Sequence, residues 1–196
     1  MPRRKRLLID VDEVLADFQT PVFALADRLL GKRFTPYDFD NWDIFSVFNN
    51  VEREALFTEM GKPGFCLDFP VVAGSLEAVR EMQESMDVYA VTNPFPRGTW
   101  VTDRNTWLQE KFGFERTHIV HTSAKFLVTG DAILDDNPVH IVDWLGEHPK
   151  GLGMLWHIPN TRTMTHYDHL RVKSWNEVLR NLRALVEGQD GSEIPR

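Results

Sequence analysis

Apolar and polar positions follow two rhythms along this chain. Short apolar runs ending in polar residues recur at RLLID (6–10), DVYAVT (87–92), THIV (117–120), DAILDD (131–136) and GMLWHI (153–158). Runs this short, bounded by polar residues, read as strands buried on both faces. Helical patterns lie between them. GSLEAVREMQESM at 74–86 carries Leu76, Val79 and Met82 at helical spacing, with Ser75 as the expected N-cap. Residues 98–112 run into Lys111-Phe112-Gly113, a usual helix stop. SWNEVLRNLRALVE at 174–187 opens on the capping-box pair Ser174 and Glu177 and carries an amphipathic stripe. Alternating strands and helices predict an α/β fold, with a Rossmann-like three-layer core around a parallel sheet.

Residues 19–72 break this rhythm. They offer no convincing buried strand, but helical pieces and ten aromatics: Phe23, Phe34, Tyr37, Phe39, Trp42, Phe45, Phe48, Phe57, Phe65 and Phe69. The expectation is a small helical cap inserted after the first strand. Most of these rings belong to its core, and a few face the site to stack on a flat substrate. The regular pattern resumes near Pro70–Gly74. The predicted division is a catalytic core over 1–17 and 73–188, a cap over 18–72, and a flexible tail over 189–196.

Composition narrows the function classes. The 196 residues suit one core with a modest insertion. A formal net charge of −7 argues against a broad face for a nucleic-acid polymer. The basic cluster Arg3-Arg4-Lys5-Arg6 reads as a solvated flank. Cys66 is the only cysteine, so no intramolecular disulfide forms, which fits a reducing compartment. No apolar run is long enough to cross a membrane, and Asp10 and Asp12 interrupt the only signal-like start. The expectation is a cytoplasmic protein with a small-molecule substrate and no membrane partner, with a homodimer as an option.

Ligands of open parallel sheets bind beyond the carboxyl ends of the strands. Those ends carry Asp10 and Asp12, Thr92-Asn93-Pro94, and Asp135-Asp136-Asn137-Pro138, with Lys125 leading into the last of these strands. Taken singly, an Asp at a strand end also serves as a turn or N-cap residue. Together, four carboxylates repel one another unless a cation joins them. Mg²⁺ suits such a set, because it takes one or two carboxylates, waters and a substrate phosphate. Lys125 suits a phosphate oxygen and Thr92 supplies a hydroxyl. That inventory matches phosphoryl transfer. The first strand lacks a glycine-rich phosphate loop, which argues against a dinucleotide site.

DVDEVLADF at 10–18, VTNP at 91–94, Lys125 and ILDDNP at 133–138 stand in the order of the four motifs of the haloacid-dehalogenase-like (HAD) phosphatases. More closely, the chain resembles the 5′(3′)-deoxyribonucleotidases, whose first motif reads roughly D-M-D-G-V-L-A-D-F. PGFCLDFPVVAGSLEAVREM at 63–82 and VKSWNEVL at 172–179 carry the resemblance further, and it covers about 5–188. It implies an Mg²⁺-dependent phosphatase acting on nucleoside monophosphates through an aspartyl-phosphate. The alternative is a phosphatase of the same superfamily acting on a sugar phosphate or another small monoester.

The resemblance also implies roles. Asp10 is the nucleophile and Asp12 the general acid and base. Thr92, Lys125 and the Asn93 backbone hold phosphoryl oxygens. The metal takes the Asp10 carboxylate, the Asp12 carbonyl and the Asp135–Asp136 pair, with the direct ligand of that pair open. Phe18 flanks the base or sugar, joined by Trp42, Phe45 and Phe65 from the cap. Two residues depart from the mammalian pattern: Glu13 for Gly and Asn93 for Ser. The sequence gives Glu13 no role.

A signalling receiver domain uses a similar residue set, but its lysine comes last; here Lys125 precedes Asp135 and Asp136. His118, His121, His166 and His169 lack further ligands at metal spacing and read as surface or packing residues. Gly151-Leu152-Gly153 reads as a loop before a strand.

Overall fold

The computed structural model describes residues 3–188. Six parallel strands form one sheet: β1 (Arg6–Ile9), β2 (Asp87–Thr92), β3 (Ile119–His121), β4 (Ala132–Asp135), β5 (Leu152–Trp156) and β6 (Arg171–Val172). Their order is β3-β2-β1-β4-β5-β6, so β1 and β4 lie side by side at the centre. The register pairs Ile9 with Leu134 and Thr92 with His121, which aligns the polar strand ends along one edge.

Alternation along β1 sorts the two faces. Leu7 and Ile9 join one buried cluster with Val79 and Met82 of α3 (Ser75–Ser85), Trp107 and Leu108 of α4 (Trp100–Phe112), and Val178 and Leu182 of α6 (Trp175–Glu187). Leu8 turns to the other face and packs with Ile133, Leu155, and Ile141 and Trp144 of α5 (Pro138–Glu147). Side chains of period two on a sheet buried on both faces produce this three-layer core. A Cβ on Gly153 would stand 2.8 Å from Ile141 and Leu145, so this glycine lets α5 close on β5.

The cap holds α1 (Gln19–Leu30), α2 (Asn50–Met60) and short 3₁₀ turns between and beside them. The chain leaves and regains the core through two adjacent crossings. Asp17 N–H donates to the Pro70 carbonyl and Val72 N–H to the Leu15 carbonyl, both at 2.8 Å. Inside the cap, Phe23 stacks on Phe39, and Phe34 packs edge-on against Phe48. Opposite the crossings, Arg162 donates to the Phe39 carbonyl at 2.8 Å and pairs with Asp40 at 2.9 Å. Asn160 donates to the Asn41 carbonyl at 3.0 Å. The end of α2 presses on the core loop at Gly98 (φ 60°), where a Cβ would meet the Gly61 carbonyl oxygen at 1.7 Å.

Four local expectations change. Ser75 is not a cap; Gly74 takes that place with φ 79°, and the Ser75 side chain is buried. At α6, Ser174 caps Glu177 N–H as expected, but the Glu177 carboxylate accepts from Lys173 N–H, one residue before the box position. β6 has two residues and leaves no apolar run to read in the sequence. The basic flank is partly tied down: Arg3 and Lys5 pair with Asp131, and Arg4 donates to the Gln83 and Met86 carbonyls. The tail at 189–196 lies outside the described residues. No helix among the described residues is long and apolar enough to cross a membrane.

Candidate active site

A cleft opens where the strand ends face the cap. Asp10, Asp12, Thr92, Asn93, Lys125 and Asp136 line its floor. Phe18, Trp42, Phe45, Phe57, Phe95 and Trp100 line its walls. The floor follows from topology: β1, β2 and β4 are neighbours, and each carries polar residues at its carboxyl end.

Asp10 continues the ladder beyond β1, with its N–H on the Leu134 carbonyl at 2.9 Å. The chain then turns sharply, with Leu15 and Ala16 N–H both donating to the Val11 carbonyl at 2.8 Å. The turn aims Asp10 and Asp12 into the same cleft.

Lys125 is fully enclosed and sits between two carboxylates. Its Nζ lies 2.6 Å from Asp10 Oδ1 and 2.7 Å from Asp135 Oδ2. Burial alone would strip its proton, but the two carboxylates hold its pKa above the ordinary lysine value. Asp10 is pushed up to about 6, by burial first and by Asp135 next, against the pull of Lys125. Burial also favours the neutral form of Asp135, yet Lys125 and His140 offset it and hold that pKa below the usual range. Asp136 goes the other way: burial, then Asp10 and Asp135, raise it well above a normal carboxyl.

These carboxylates differ in what they have left to offer. Asp135 accepts from Lys125, from Asn137 N–H at 2.9 Å and from His140 Nδ1 at 3.2 Å, so its oxygens are engaged. Asp136 takes one bond, from the Trp42 indole N–H at 3.0 Å. One oxygen each of Asp10, Asp135 and Asp136 lies within 4.8 Å of the others, a set of hard oxygen donors that fits a divalent cation. Thr92 Oγ1 is buried and has no partner among the described residues, which leaves a hydroxyl on the cleft floor free to bond a ligand.

Arg104, which no sequence pattern singles out, also lies at the site. This residue of α4 is fully buried, and its Nη2 lies 2.5 Å from Asp12 Oδ1. The rings of Phe69, Trp100 and Trp107 surround its guanidinium at 5.2–5.4 Å. Cation–π contacts of about 0.5–2 kcal/mol each help hold a charge whose Nε and Nη1 have no hydrogen-bond partner among the described residues. Asp12 is still raised, because burial outweighs Arg104 and Lys125. An arginine on a helix with charged neighbours looks solvated in sequence, and only the aromatic cage marks it.

Glu13 also gains a place. It stands at φ 62° and accepts from Phe18 N–H at 2.9 Å and Gln19 N–H at 2.7 Å through Oε1. It caps α1, whose N-cap residue Phe18 offers no side-chain bond. Burial pushes its carboxyl up to about 8.

Among the aromatic candidates, Phe18, Trp42 and Phe45 line the cleft and Phe65 does not. Phe65 packs behind the wall on Phe69 and Trp100, at 5.5 and 6.2 Å between ring centroids. Phe57, Phe95 and Trp100 complete the wall, and the sequence did not separate them from other packing aromatics. His118 stacks on Tyr89, and His121 binds Asn105 at 2.8 Å. Neither belongs to a metal-binding cluster among the described residues.

Residues 4–186 match the family described as 5′ nucleotidase, deoxy (Pyrimidine), cytosolic type C protein. A protein of Bordetella parapertussis provisionally named 5′(3′)-deoxyribonucleotidase is 30% identical over 182 residues, spanning 88% of this chain and 94% of its own. A Staphylococcus epidermidis protein with the same provisional name is 27% identical over 179 residues, spanning 89% and 94%. Among solved structures, a HAD family hydrolase from Deinococcus radiodurans with bound phosphate and sodium superposes with a TM-score of 0.59 at 14% identity, covering 94% of this chain and 96% of that one. The HAD hydrolase YfnB of Bacillus subtilis, bound to magnesium, gives 0.53 at 18% identity, covering 92% and 99%. The chain is a phosphoric monoester hydrolase on the HAD fold and belongs to the deoxy-type, cytosolic type C 5′ nucleotidase family.

Proposed function

We propose that this chain hydrolyses nucleoside monophosphates with Mg²⁺, through an aspartyl-phosphate on Asp10. One observation carries the reading: two differently paired carboxylates, Asp10 on Lys125 and Asp12 on Arg104, open into one cleft walled by aromatic rings. The rings suit a flat base and the floor suits a phosphate.

Asp10 attacks the phosphorus in line while Lys125 and Thr92 hold the non-bridging oxygens. Asp12 donates a proton to the leaving sugar oxygen, and its raised pKa favours the protonated form this step needs. Asp12 then takes a proton from the water that cleaves the acyl phosphate. Arg104 holds the Asp12 carboxyl group in place through both steps, protonated in the first and ionised at the start of the second. Mg²⁺ would be held by Asp10, the Asp12 carbonyl and Asp136, with Asp135 behind them. When bound, it offsets the charge of the carboxylates and the phosphoryl oxygens. Asp136 would be the direct ligand of its pair, because the Asp135 oxygens are already engaged.

A screen of nucleotides, sugar phosphates and an aryl phosphate tests this. Phosphate release should be fastest from nucleoside monophosphates, vanish on chelation and return with Mg²⁺. Faster release from sugar phosphates would overturn the substrate reading, and full rate after exhaustive chelation would overturn the metal.

A further inference from the structure

Glu13 has a second oxygen whose place in the cleft points beyond capping. It is the only non-glycine residue at positive φ among the described residues. A left-handed conformation strains an L-residue and costs glycine nothing. Here the turn directs a carboxyl side chain at the N-terminus of α1, where Oε1 takes the Phe18 and Gln19 N–H groups. A helix N-terminus beside the strand ends of an open sheet is where such folds receive anions. In this chain an oxygen of its own fills those donors. Oε2 has no hydrogen-bond partner among the described residues, and Glu13 lines the cleft with Asp12, Asp43 and Asp136.

The rest of the lining holds no free Lys or Arg for an anion, and its His140 and Gln19 already bond Asp135 and Asn160. Lys125 is its only Lys or Arg, and it is held between Asp10 and Asp135 beside the phosphate position. Arg97, next to the lining residue Pro96, is paired with Glu54 through both terminal nitrogens.

We propose that Glu13 is a specificity residue that restricts the cleft to substrates carrying a single phosphate. By occupying the α1 donors it leaves a second phosphate on the leaving group facing apolar rings and acidic oxygens. The inference rests on the phosphatase reading of this cleft, but not on the identity of the base.

The test compares kcat/KM for a nucleoside 5′-monophosphate and the matching 3′,5′-bisphosphate in wild type, Glu13→Gln and Glu13→Gly. Gln keeps a carbonyl oxygen for the two N–H groups. Gly empties the position and suits its φ. Wild type should favour the monophosphate by at least about tenfold. Glu13→Gln should keep that preference within about threefold, and Glu13→Gly should lose at least about fivefold of it through a lower KM for the bisphosphate. A wild type that favours the bisphosphate overturns the proposal without any variant. So does an unchanged ratio in Glu13→Gly, or an equal loss in both variants. If thermal melting shows Glu13→Gly unfolded, Glu13→Ala carries the same expectation. If wild type turns over no nucleotide, the nucleotide reading fails by itself. The ratio is then read on a hexose 6-phosphate against a hexose 1,6-bisphosphate, and decides the role of Glu13 separately.

Discussion

The floor and the wall of the cleft are built on opposite principles. The floor is charge held by charge: Lys125 between Asp10 and Asp135, all three buried, and buried Arg104 on a partly exposed Asp12, each pair dependent on its partner. The wall is ring on ring, with Phe18 edge-on to Phe45, Phe69 and Trp100 at 6.0–6.3 Å. Losing one partner on the floor strands a charge. Losing one ring from the wall removes contact area and leaves the others. The floor should therefore control the chemical step and lose rate steeply on substitution, whereas the wall should control which leaving group fits and fail by degrees.

Asp10→Asn should break the floor completely. Turnover should fall by at least about 10³-fold on every substrate, measured as phosphate release, while circular dichroism stays native. Arg104→Met comes next. It leaves Asp12 without its partner, so kcat should fall by about 10- to 100-fold with KM nearly constant, and Arg104→Lys should recover part of the loss. Nucleotides should suffer more than p-nitrophenyl phosphate, whose leaving group needs no proton. An equal loss on both would mean that Arg104 supports the fold and not Asp12.

On the wall, Phe18→Ala should raise KM for nucleotides by about tenfold, the scale of one lost stacking ring, and leave an aryl phosphate within about twofold. Trp42→Phe is the mildest change. It keeps a ring and deletes the N–H that reaches Asp136, so activity should drop only about two- to fivefold.

Acidity sharpens the contrast, because the floor and Glu13 titrate and the wall does not. Glu13 near 8 and Asp10 near 6 both hold their protons more tightly folded than unfolded. The share of the metal-free protein's stability that these two groups contribute is thus full below the unfolded carboxyl range and is lost as pH rises through about 6 and about 8. Thermal melting of the chelated protein should fall from about pH 7 to about pH 9, above the range where His121 and His157, with pKa values lowered by burial, add stability as pH rises, and Mg²⁺ should flatten the slope. A midpoint that rises over that range would contradict the assigned directions.

The two regions also differed in how far the sequence revealed them. The floor was legible because topology alone brings Asp10, Thr92 and Asp136 to one sheet edge once the strands are recognised. The wall was not, because Phe65 and Phe57 look alike in sequence, and only packing sends one behind the wall and the other into the cleft. Arg104 was hidden because burial of a helical arginine depends on three rings distant in sequence or on its own helix. Glu13 was hidden because its meaning rests on a backbone angle. β6 was hidden because two residues carry no pattern.

The division between floor and wall is tested most directly by measuring kcat/KM for a nucleoside monophosphate and for p-nitrophenyl phosphate in Asp10→Asn and Phe18→Ala. Asp10→Asn should abolish both activities, and Phe18→Ala should depress only the nucleotide. Equal depression of both substrates by Phe18→Ala, or surviving turnover in Asp10→Asn, would contradict that division.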